Sequence, residues 1–572
     1  MYGVHLRHTG LGCSWYSSGE QVLFKKLLDW LKLPETSTPA AVADKDPNKT
    51  DIQPTPTPPQ ASEAHVSIPS VPGTLEHGSG QRPAQPQLLS KLDLLDLVDH
   101  QDAGTVEEHL RLVRDPYLRG YAAADGPNIV VSDKKEDIEH PAVDHILEPD
   151  SEVEATLSHL RNAVMLRLKK PYKAELRWIY RIYRRLPEPR MSYVPSRLRH
   201  LLLRVLAQPR HKDFRAMLRY LAVVTDVKNS GIRLTRAEWN SAISFASKCV
   251  AAAGDEEVES ALNLWREMEQ SGGIRGNEVT FNVLFSVASK AGKFMLAERI
   301  YKEMENRGYT FTRYHYVSLI HFFGLKRDAD GVRAAYRDMV NSKEIIDTVV
   351  LNCVISGLLR SGEADAAERV YERMKGTVQG SAQPPPRDYQ HQKVLTKLLM
   401  VSARTAEVRP DMEATFQARA RLAPDLRTYR LLIHHYAVEV GDLSKVVQYL
   451  DDMKRFHVPM SGAIFLMLFK GFYLHGGHER SAWSAERLDG ILKALFDALD
   501  RGTHGVRIET WLVMWVLRAL KKCSPSRERL LQAYEELQGR SKLDERRARF
   551  MAEFLEKFLK TIPHEKRGKA RR

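Results

Sequence analysis

The sequence predicts an all-α fold: a right-handed superhelical solenoid of helix–turn–helix units, each 35 residues long, after a disordered N-terminal region. Two observations carry this prediction. Three blocks align without a gap, starting at Glu278, Arg313 and Thr348. Within them, side chains recur at the same period as Tyr301, Tyr336, Tyr371 and as Met304, Met339, Met374. A unit this short cannot bury its apolar face alone, so the units must stack.

Each block contains two apolar stripes at helical spacing. The first stripe has the i, i+3, i+4, i+7 pattern of one helix face, at Phe281, Leu284, Phe285 and Ala288. Gly292 then interrupts the pattern, and the second stripe follows at Ala297, Ile300, Tyr301 and Met304. Gly308 is a typical helix-terminating residue. The unit is therefore two helices of about a dozen residues each.

Diverged units extend the array in both directions. Upstream, AEWNSAISFASK and ALNLWREMEQSGG predict one further helix pair, and downstream DLRTYRLLIHHYAVEVGDLSKVVQYLDDMKR predicts another. Gly462–Ala498 and Ile508–Gln538 are predicted as additional helical pairs. We assign residues 236–375 to core repeats, 376–425 to an irregular break with a helix, 426–538 to diverged C-terminal repeats, and 539–572 to a C-terminal helix and basic tail.

The part before the array divides into four segments by composition. Residues 1–36 begin with an acid-poor stretch compatible with a mitochondrial targeting segment. Residues 37–90 contain ten prolines and are expected to be a disordered linker. Residues 91–160 are acidic, and residues 161–235 are a basic helical region that we interpret as degenerate repeats.

The charge map leaves two interpretations open for the basic region. Lys91–Leu160 contains 17 acids and 6 Lys or Arg, whereas Arg161–Tyr220 contains 17 Lys or Arg and 3 acids. Aromatic residues lie among the arginines, and Arg181, Arg184 and Arg185 are candidates for phosphate contact. The alternative is a solvated helix face, partly neutralised by the acidic segment before it.

Catalytic, metal-binding and membrane-spanning functions are not predicted. The four cysteines are far apart and lack ligand spacing, and no apolar run is long enough to span a membrane. Phosphate-binding loops and the common hydrolase and metalloprotease motifs do not occur. His475 and His478 lack a suitable third ligand nearby in the sequence, so we expect neither a metal nor a cofactor. The chain is predicted to be a binding protein and not an enzyme.

Several short motifs resemble those of the pentatricopeptide repeat family. They are Val279-Thr280-Phe281-Asn282 followed by Leu284, then Lys290-Ala291-Gly292 and Glu303-Met304. The 34-residue tetratricopeptide repeat is the competing interpretation, but the gapless 35-residue spacing favours the pentatricopeptide family. The match is close from Glu278 to about Lys375 and extends over Thr235–Gln538 with degenerate units. The resemblance implies an organellar protein, and we expect a fungal mitochondrial one.

The resemblance also implies how such repeats bind single-stranded RNA, with one base for each unit. In this family the fifth residue of a unit contacts the base edge, and the closing residue helps to select the base. The fifth residues here are Asn240, Asn282, Val317, Asn352 and Arg430, and the closing residues are Asn277, Thr312 and Asp347. Asn240 with Asn277 resembles a pyrimidine-type pairing of the family.

These positions are not equally suited to reading a base. An Asn amide both donates and accepts hydrogen bonds, but Val317 cannot read a hydrogen-bonding edge. Arg430 is better suited to phosphate or to stacking. The closing residue of the third unit cannot be assigned, because the register is lost after Gly376. A purely structural role, in which the Asn side chains cap or solvate helices, is the alternative.

We therefore expect a monomeric, mitochondrial matrix protein that binds single-stranded organellar RNA and acts in transcript processing, stability or translation. The rival hypothesis is a protein-binding scaffold, either an assembly factor for a respiratory complex or a protein associated with the mitoribosome. The basic region and the Asn positions favour RNA, while the small number of clean units and Val317 favour the scaffold.

Overall fold

A computed structural model describes residues 89–99, 103–110, 147–170, 173–209, 213–248, 253–377, 389–409, 412–503, 505–541 and 545–561. The predicted targeting segment and most of the Pro-rich linker lie outside these residues. Within the described ranges all regular structure is helical and no strand occurs, which confirms the all-α class. The chain forms two compact units, one from Pro86–Val440 with Asp452–Pro459, the other from the described parts of 441–451 and 460–561.

The first unit begins with two short helices and continues as helix pairs. Its helices are α1 Lys91–Asp96, α2 Val106–His109, α3 Ser151–Lys169, α4 Leu176–Tyr183, α5 Ser196–Leu206, α6 Phe214–Asn229, α7 Arg236–Lys248, α8 Asp255–Arg266, α9 Glu278–Lys290, α10 Phe294–Asn306, α11 Arg313–Lys326, α12 Ala329–Asn341, α13 Thr348–Arg360, α14 Ala364–Gly376, α15 Tyr389–Val408, α16 Glu413–Arg419 and α17 Leu426–His434.

From α3 to α14 the helices alternate in role. The first helices α7, α9, α11 and α13 each pack on the first helix of the next pair, as α3 does on α5, and each second helix packs on its own first helix. The predicted stripes form the core between them. Phe281, Leu284, Phe285 and Ala288 of α9 are almost completely buried, as are Ala297, Ile300, Tyr301 and Met304 of α10. Gly292 makes the turn between the two helices with a φ of +73°, a conformation that favours glycine.

Two glycines allow the first helices α11 and α13 to approach closely. A Cβ atom built on Gly324 would lie 2.7 Å from the Cα of Gly357, closer than real side chains pack. Gly357 faces Val332 of α12 in the same way, at 2.8 Å from its Cγ2 atom. Consecutive repeats are therefore held backbone to backbone at this contact.

A buried ion cluster joins two consecutive pairs on the side of the second helices. Arg307, which follows α10, donates to Glu303 of that helix at 2.6 Å and to Glu269 of the preceding pair at 2.7 Å. The Arg307 and Glu269 side chains are 2% and 1% exposed. Glu269 also accepts from the backbone of Gly276. These charges are satisfied by one another, as buried charges must be.

Residues 89–99 and 103–110, which we call the strap, pack on the second helices. Leu94, Val106 and Leu110 are among its buried side chains, and α1 and α2 both contact α12. The Tyr336 hydroxyl of α12 donates to the carbonyl of Leu94 at 2.6 Å. Asp99 accepts from Arg369 and Arg373 of α14, and these hydrogen bonds lower the pKa of its carboxyl.

The strap shows where one acid of the acidic segment is used. Asp99 pairs with arginines of the core repeat α14, far away in sequence. Neutralisation of the basic region at 161–220 by other acids of the segment stays a prediction. The acidic segment thus contributes to holding the repeats, and residues 111–146 lie outside the described part of the chain.

The break after α14 contains α15 and α16, and it returns the chain to the edge of the repeats. Gln417 of α16 is buried and forms two hydrogen bonds with the backbone of Ile346, at 2.9 and 2.8 Å. The Thr348 hydroxyl donates to the carbonyls of Arg421 and Ala423. The insertion is therefore anchored to the segment that precedes α13, and α17 follows it.

The second unit contains two helix pairs and a final helix: α19 Gly462–His475 with α20 Ala485–Asp500, α21 Thr510–Cys523 with α22 Arg527–Arg540, and α23 Glu545–Leu559. Helix α18 Leu443–Arg455 joins the two units along the chain. The first helices α19 and α21 pack together extensively. Trp483 is buried and donates from Nε1 to the carbonyl of Gly441 at 2.8 Å.

The glycine contact generates a stability prediction. We expect Gly324→Ala to lower the free energy of unfolding by about 1–3 kcal/mol, because the new methyl group must push α11 and α13 apart. Gly376→Ala is the matched control: it lies at the end of α14, and an added Cβ meets no atom within 4 Å. Chemical denaturation monitored by circular dichroism measures both variants. Equal stabilities would contradict the close-packing account.

Candidate nucleic-acid interface

The first helices expose a surface whose charge differs from that of the second helices. We call the exposed surface of α7, α9, α11, α13 and α17 the first-helix face. Helices α11, α13, α17, α19 and α21 contain no Asp or Glu, whereas the helix that follows each of them in the chain carries at least two. Cations on these acid-free helices therefore have no carboxylate on their own helix to neutralise them. Such a surface attracts polyanions.

Two of the predicted fifth residues are held by a closing residue. The Asn240 amide of α7 donates to Asn277 Oδ1 at 3.1 Å and accepts from the Thr280 hydroxyl at 2.6 Å. Asn277 also accepts from the backbone N–H of Thr280 as the N-cap of α9. Asn240 and Asn277 are half-buried, so the pair fixes an amide at the surface in a defined orientation.

Asn352 forms the second pair, with a residue that lies beyond the insertion. Its amide donates to Asp425 Oδ1 at 3.0 Å. Asp425 is the N-cap of α17 and forms a capping box with Thr428, as Asn277 does with Thr280. The closing residue that we could not assign to the third unit is therefore Asp425. Asn352 is 3% exposed, so contact with a base would require a side-chain movement.

The other predicted positions are not paired in this way. Asn282 is half-buried, and its buried Oδ1 has no hydrogen-bond partner in the described part of the chain. Thr312 caps α11 without a side-chain hydrogen bond. Asp347 is buried, accepts from the backbone of α13 as its N-cap, and forms an ion pair with Arg313. Asp347 therefore has a structural role in the free protein, and Val317 on α11 has no polar group to offer.

Four consecutive first helices carry residues that interact electrostatically. Lys290, Arg360 and Arg427 come from α9, α13 and α17 and are exposed, and the charge of each acts on His321 of α11. Arg360 lies 3.4 Å from His321 Nδ1. Burial, followed by the charges of Arg360, Lys290 and Arg427, lowers the pKa of His321 to about 4. We call these four residues the cation cluster.

The described part of the protein does not neutralise the cation cluster. No carboxylate of the described residues forms an ion pair with Lys290, Arg360 or Arg427. The mutual repulsion is consistent with the lowered pKa of His321, because adding a proton there would add a fourth positive charge. An anion bound at this surface would relieve that repulsion.

The basic region at 161–220 spans both kinds of helix, but the three arginines named in it lie at a second helix. Arg181 is in α4, and Arg184 and Arg185 directly follow it, so all three belong to a second helix. Their side chains are exposed, as is Trp178, whereas Tyr183 is buried. The structure thus does not bring these arginines together with the Asn positions on the first helices. Arg430 of α17 is exposed on a first helix, beside the cation cluster member Arg427.

Sequence reasoning missed both Asp425 and the cation cluster, although signals for them exist. Asp425-x-x-Thr428 repeats the spacing of Asn277-x-x-Thr280. The separation of charge between alternating helices is also visible once helix boundaries are known. The charge counts made from the sequence covered only residues 91–220, before the core repeats, and therefore did not detect it.

The remaining features give no sign of chemistry among the described residues. No group of three or more His, Cys, Asp or Glu side chains there could hold a metal ion. Burial raises the pKa of the Cys353 thiol to about 12 and that of Cys523 to about 11, which leaves both protonated at neutral pH. None of the described helices is long and apolar enough to cross a membrane.

Comparisons with known proteins agree with this repeat architecture. The family model of the PPR repeat matches residues 279–309 and 349–376. A chloroplastic pentatricopeptide repeat-containing protein of Arabidopsis thaliana is 24% identical over 154 residues, which are 27% of this chain and 19% of that protein. The chain therefore spans less than a fifth of that relative.

Solved structures of the pentatricopeptide repeat protein PPR10 were also found. PPR10 in complex with an 18-nt psaJ RNA element is 16% identical, with a TM-score of 0.29, covering 68% of this chain and 58% of that one. PPR10 from maize is 15% identical, with a TM-score of 0.25, covering 72% and 65%. The period, the helix pairs and the family match lead to one conclusion: this chain contains repeats of the pentatricopeptide family.

Proposed function

We propose that this protein binds single-stranded RNA along its first-helix face and acts without catalysing a reaction itself. The observation that carries the proposal is the separation of charge: the first helices, three of them without an acid, present cations that form no ion pair with a described carboxylate, and they also carry oriented Asn amides. Cations without carboxylate partners suit phosphates, and amides suit base edges.

We further propose a role in an organelle, in transcript processing, stability or translation. The acid-poor N-terminal sequence and the chloroplastic relative support an organellar location, and the N-terminal sequence favours the mitochondrial matrix. We propose the fifth and closing residues as base-contacting pairs, including Asn282 with Thr312, and Val317 with Asp347 as a pair that contacts its base without selecting it through hydrogen bonds. Arg430 would contact phosphate, and Arg181, Arg184 and Arg185 would add attraction that does not depend on sequence.

Protein binding is the second candidate, and one observation favours it. Helix α15 in the insertion exposes an apolar stripe at Leu395, Leu398 and Val401, with Leu398 and Val401 each 59% exposed. Exposed apolar stripes of this kind suit a protein partner, such as a respiratory-complex intermediate or a mitoribosomal protein. Crosslinking in cells followed by sequencing of bound RNA tests the RNA proposal directly. Stoichiometric protein partners without any enriched transcript would contradict it.

The paired amides generate a prediction about discrimination. Replacing Asn240 or Asn352 with Ala should reduce the preference for the cognate base by about 1–3 kcal/mol at one position of the RNA, because one bidentate contact is lost. Equilibrium binding to a set of RNAs that differ by one base measures this. The control is Ser241→Ala, since the Ser241 hydroxyl next to Asn240 donates to a backbone carbonyl of its own helix. If the Asn variants lose the same amount of affinity for every RNA in the set, these residues do not read a base.

The cation cluster generates a prediction about salt. Replacing Lys290, Arg360 and Arg427 together with Ala should lower the affinity for all RNAs by a similar factor. It should also reduce the slope of log K against log salt concentration by about two, at roughly 0.7 per phosphate contact. The matched control replaces Lys302, Arg529 and Arg540, whose charges are already paired with Glu305, Asp489 and Asp500. If the slope of log K against log salt concentration is unchanged in the cluster variant, the RNA phosphates do not contact the cation cluster.

His321 generates a prediction about pH. Its pKa of about 4 lies below the ordinary value of 6.5 because of burial and the charges of Arg360, Lys290 and Arg427. A bound phosphate should raise this pKa, so that binding takes up a proton and RNA affinity increases as the pH falls from 7.5 to 5.5. One linked proton changes affinity by at most about tenfold per pH unit. In the His321→Asn variant, RNA affinity should not increase as the pH falls. An identical dependence of affinity on pH in both proteins would contradict the role of His321.

A further inference from the structure

The first helices of the second unit carry exposed aromatic rings instead of oriented amides. Trp511 of α21 is 62% exposed, and Tyr473 of α19 is 38% exposed. Trp511 and Trp515 are four residues apart, so their rings lie on the same side of α21. A tryptophan this exposed gains nothing from the core, and a large exposed aromatic surface marks a binding site.

Two cations flank one of these rings. Lys470 Nζ of α19 lies 5.2 Å from the Trp515 ring centroid, and Arg518 Cζ of α21 lies 4.7 Å from it. The Tyr473 ring meets Trp515 edge to face, with centroids 5.4 Å apart. Helices α19 and α21 contain no acid, and no described carboxylate forms an ion pair with Lys470 or Arg518. The surface therefore combines the exposed ring of Trp511 with two cations held next to it over the Trp515 ring.

The residues that would read bases are apolar in these two pairs. Counted from the first residue of each first helix, the fifth positions are Leu466 in α19 and Met514 in α21. Neither side chain can form the paired hydrogen bonds that distinguish one base edge from another. A ligand on this surface is therefore not selected by the hydrogen-bonding pattern of its bases.

We propose that Trp511, Trp515 and Tyr473, with Lys470 and Arg518, form a stacking platform that binds unpaired bases of single-stranded RNA without selecting their sequence. This deepens the proposed RNA-binding function and rests on it. Every base has a π face, so stacking on indole rings tolerates any sequence, while the two cations attract the adjacent phosphates. A protein partner suited to the same rings would need acidic groups placed opposite both cations, whereas every nucleotide supplies a phosphate.

The test measures binding of the full chain to labelled single-stranded oligoribonucleotides of several sequences. Trp511→Ala should lower the affinity for all of these oligoribonucleotides by a similar factor, on the order of tenfold, which is the typical effect of losing one stacked base. Trp511→Phe should restore most of the affinity, because the ring is retained. Leu531→Ala is the matched control, since Leu531 is an exposed apolar residue on the second helix α22. Thermal melting should show that Trp511→Ala folds normally, because Trp511 is mostly exposed.

A second readout follows the indole itself. Saturating RNA should quench part of the tryptophan fluorescence of the unmodified chain, and Trp511→Phe should lack that part. If the full chain binds RNA and Asn240→Ala changes its discrimination, but Trp511→Ala binds with unchanged affinity, the platform is wrong and the proposed function stands. If no RNA binds the full chain, both are overturned. Loss of a stoichiometric protein partner in Trp511→Ala, with RNA affinity unchanged, would make the surface a protein-docking face.

Discussion

The structure depends on stacking, because a single helix pair cannot bury its own apolar face. At the tightest point, Gly324 and Gly357 bring two first helices together with almost no side chain between them. The buried cluster of Arg307 with Glu303 and Glu269 joins consecutive pairs on the second-helix side. When the helix pairs are packed together through these contacts, one side of every first helix remains exposed. The position of that surface follows from packing and not from any ligand.

The alternation of first and second helices also separates the acidic residues from the basic ones. The acids of the second helices are used within the protein, as when Asp452 accepts from the buried Tyr371 hydroxyl at 2.6 Å. The strap adds Asp99, which neutralises two arginines of α14. The first helices keep cations without such partners, so the free protein carries an electrostatic cost there that a polyanion would relieve. The strap thus stabilises the second helices, whereas the first-helix face keeps its positive charge available for a ligand.

Much of the fold could be predicted from the sequence, because the apolar period reports directly on which residues face the core. Phe281 and Tyr301, assigned to two stripes, are both buried. The pair of Asn352 with Asp425 could not be predicted by counting, because the insertion between α14 and α17 destroys the register. The contact of Asp99 with Arg369 joins residues far apart in sequence, and no local pattern encodes it. Long-window charge counts pointed to Arg181 on a second helix and missed the cluster around His321.

The central claim is that nucleic acid lies on the first-helix face. Ultraviolet crosslinking of the full chain to single-stranded RNA, followed by mass spectrometry of the crosslinked peptides, tests it most directly. The account predicts adducts in peptides from α9, α11, α13 and α17 in the first unit, and none in α10, α12 or α14. Adducts concentrated on those second helices, or only in the Arg181 region, would contradict it.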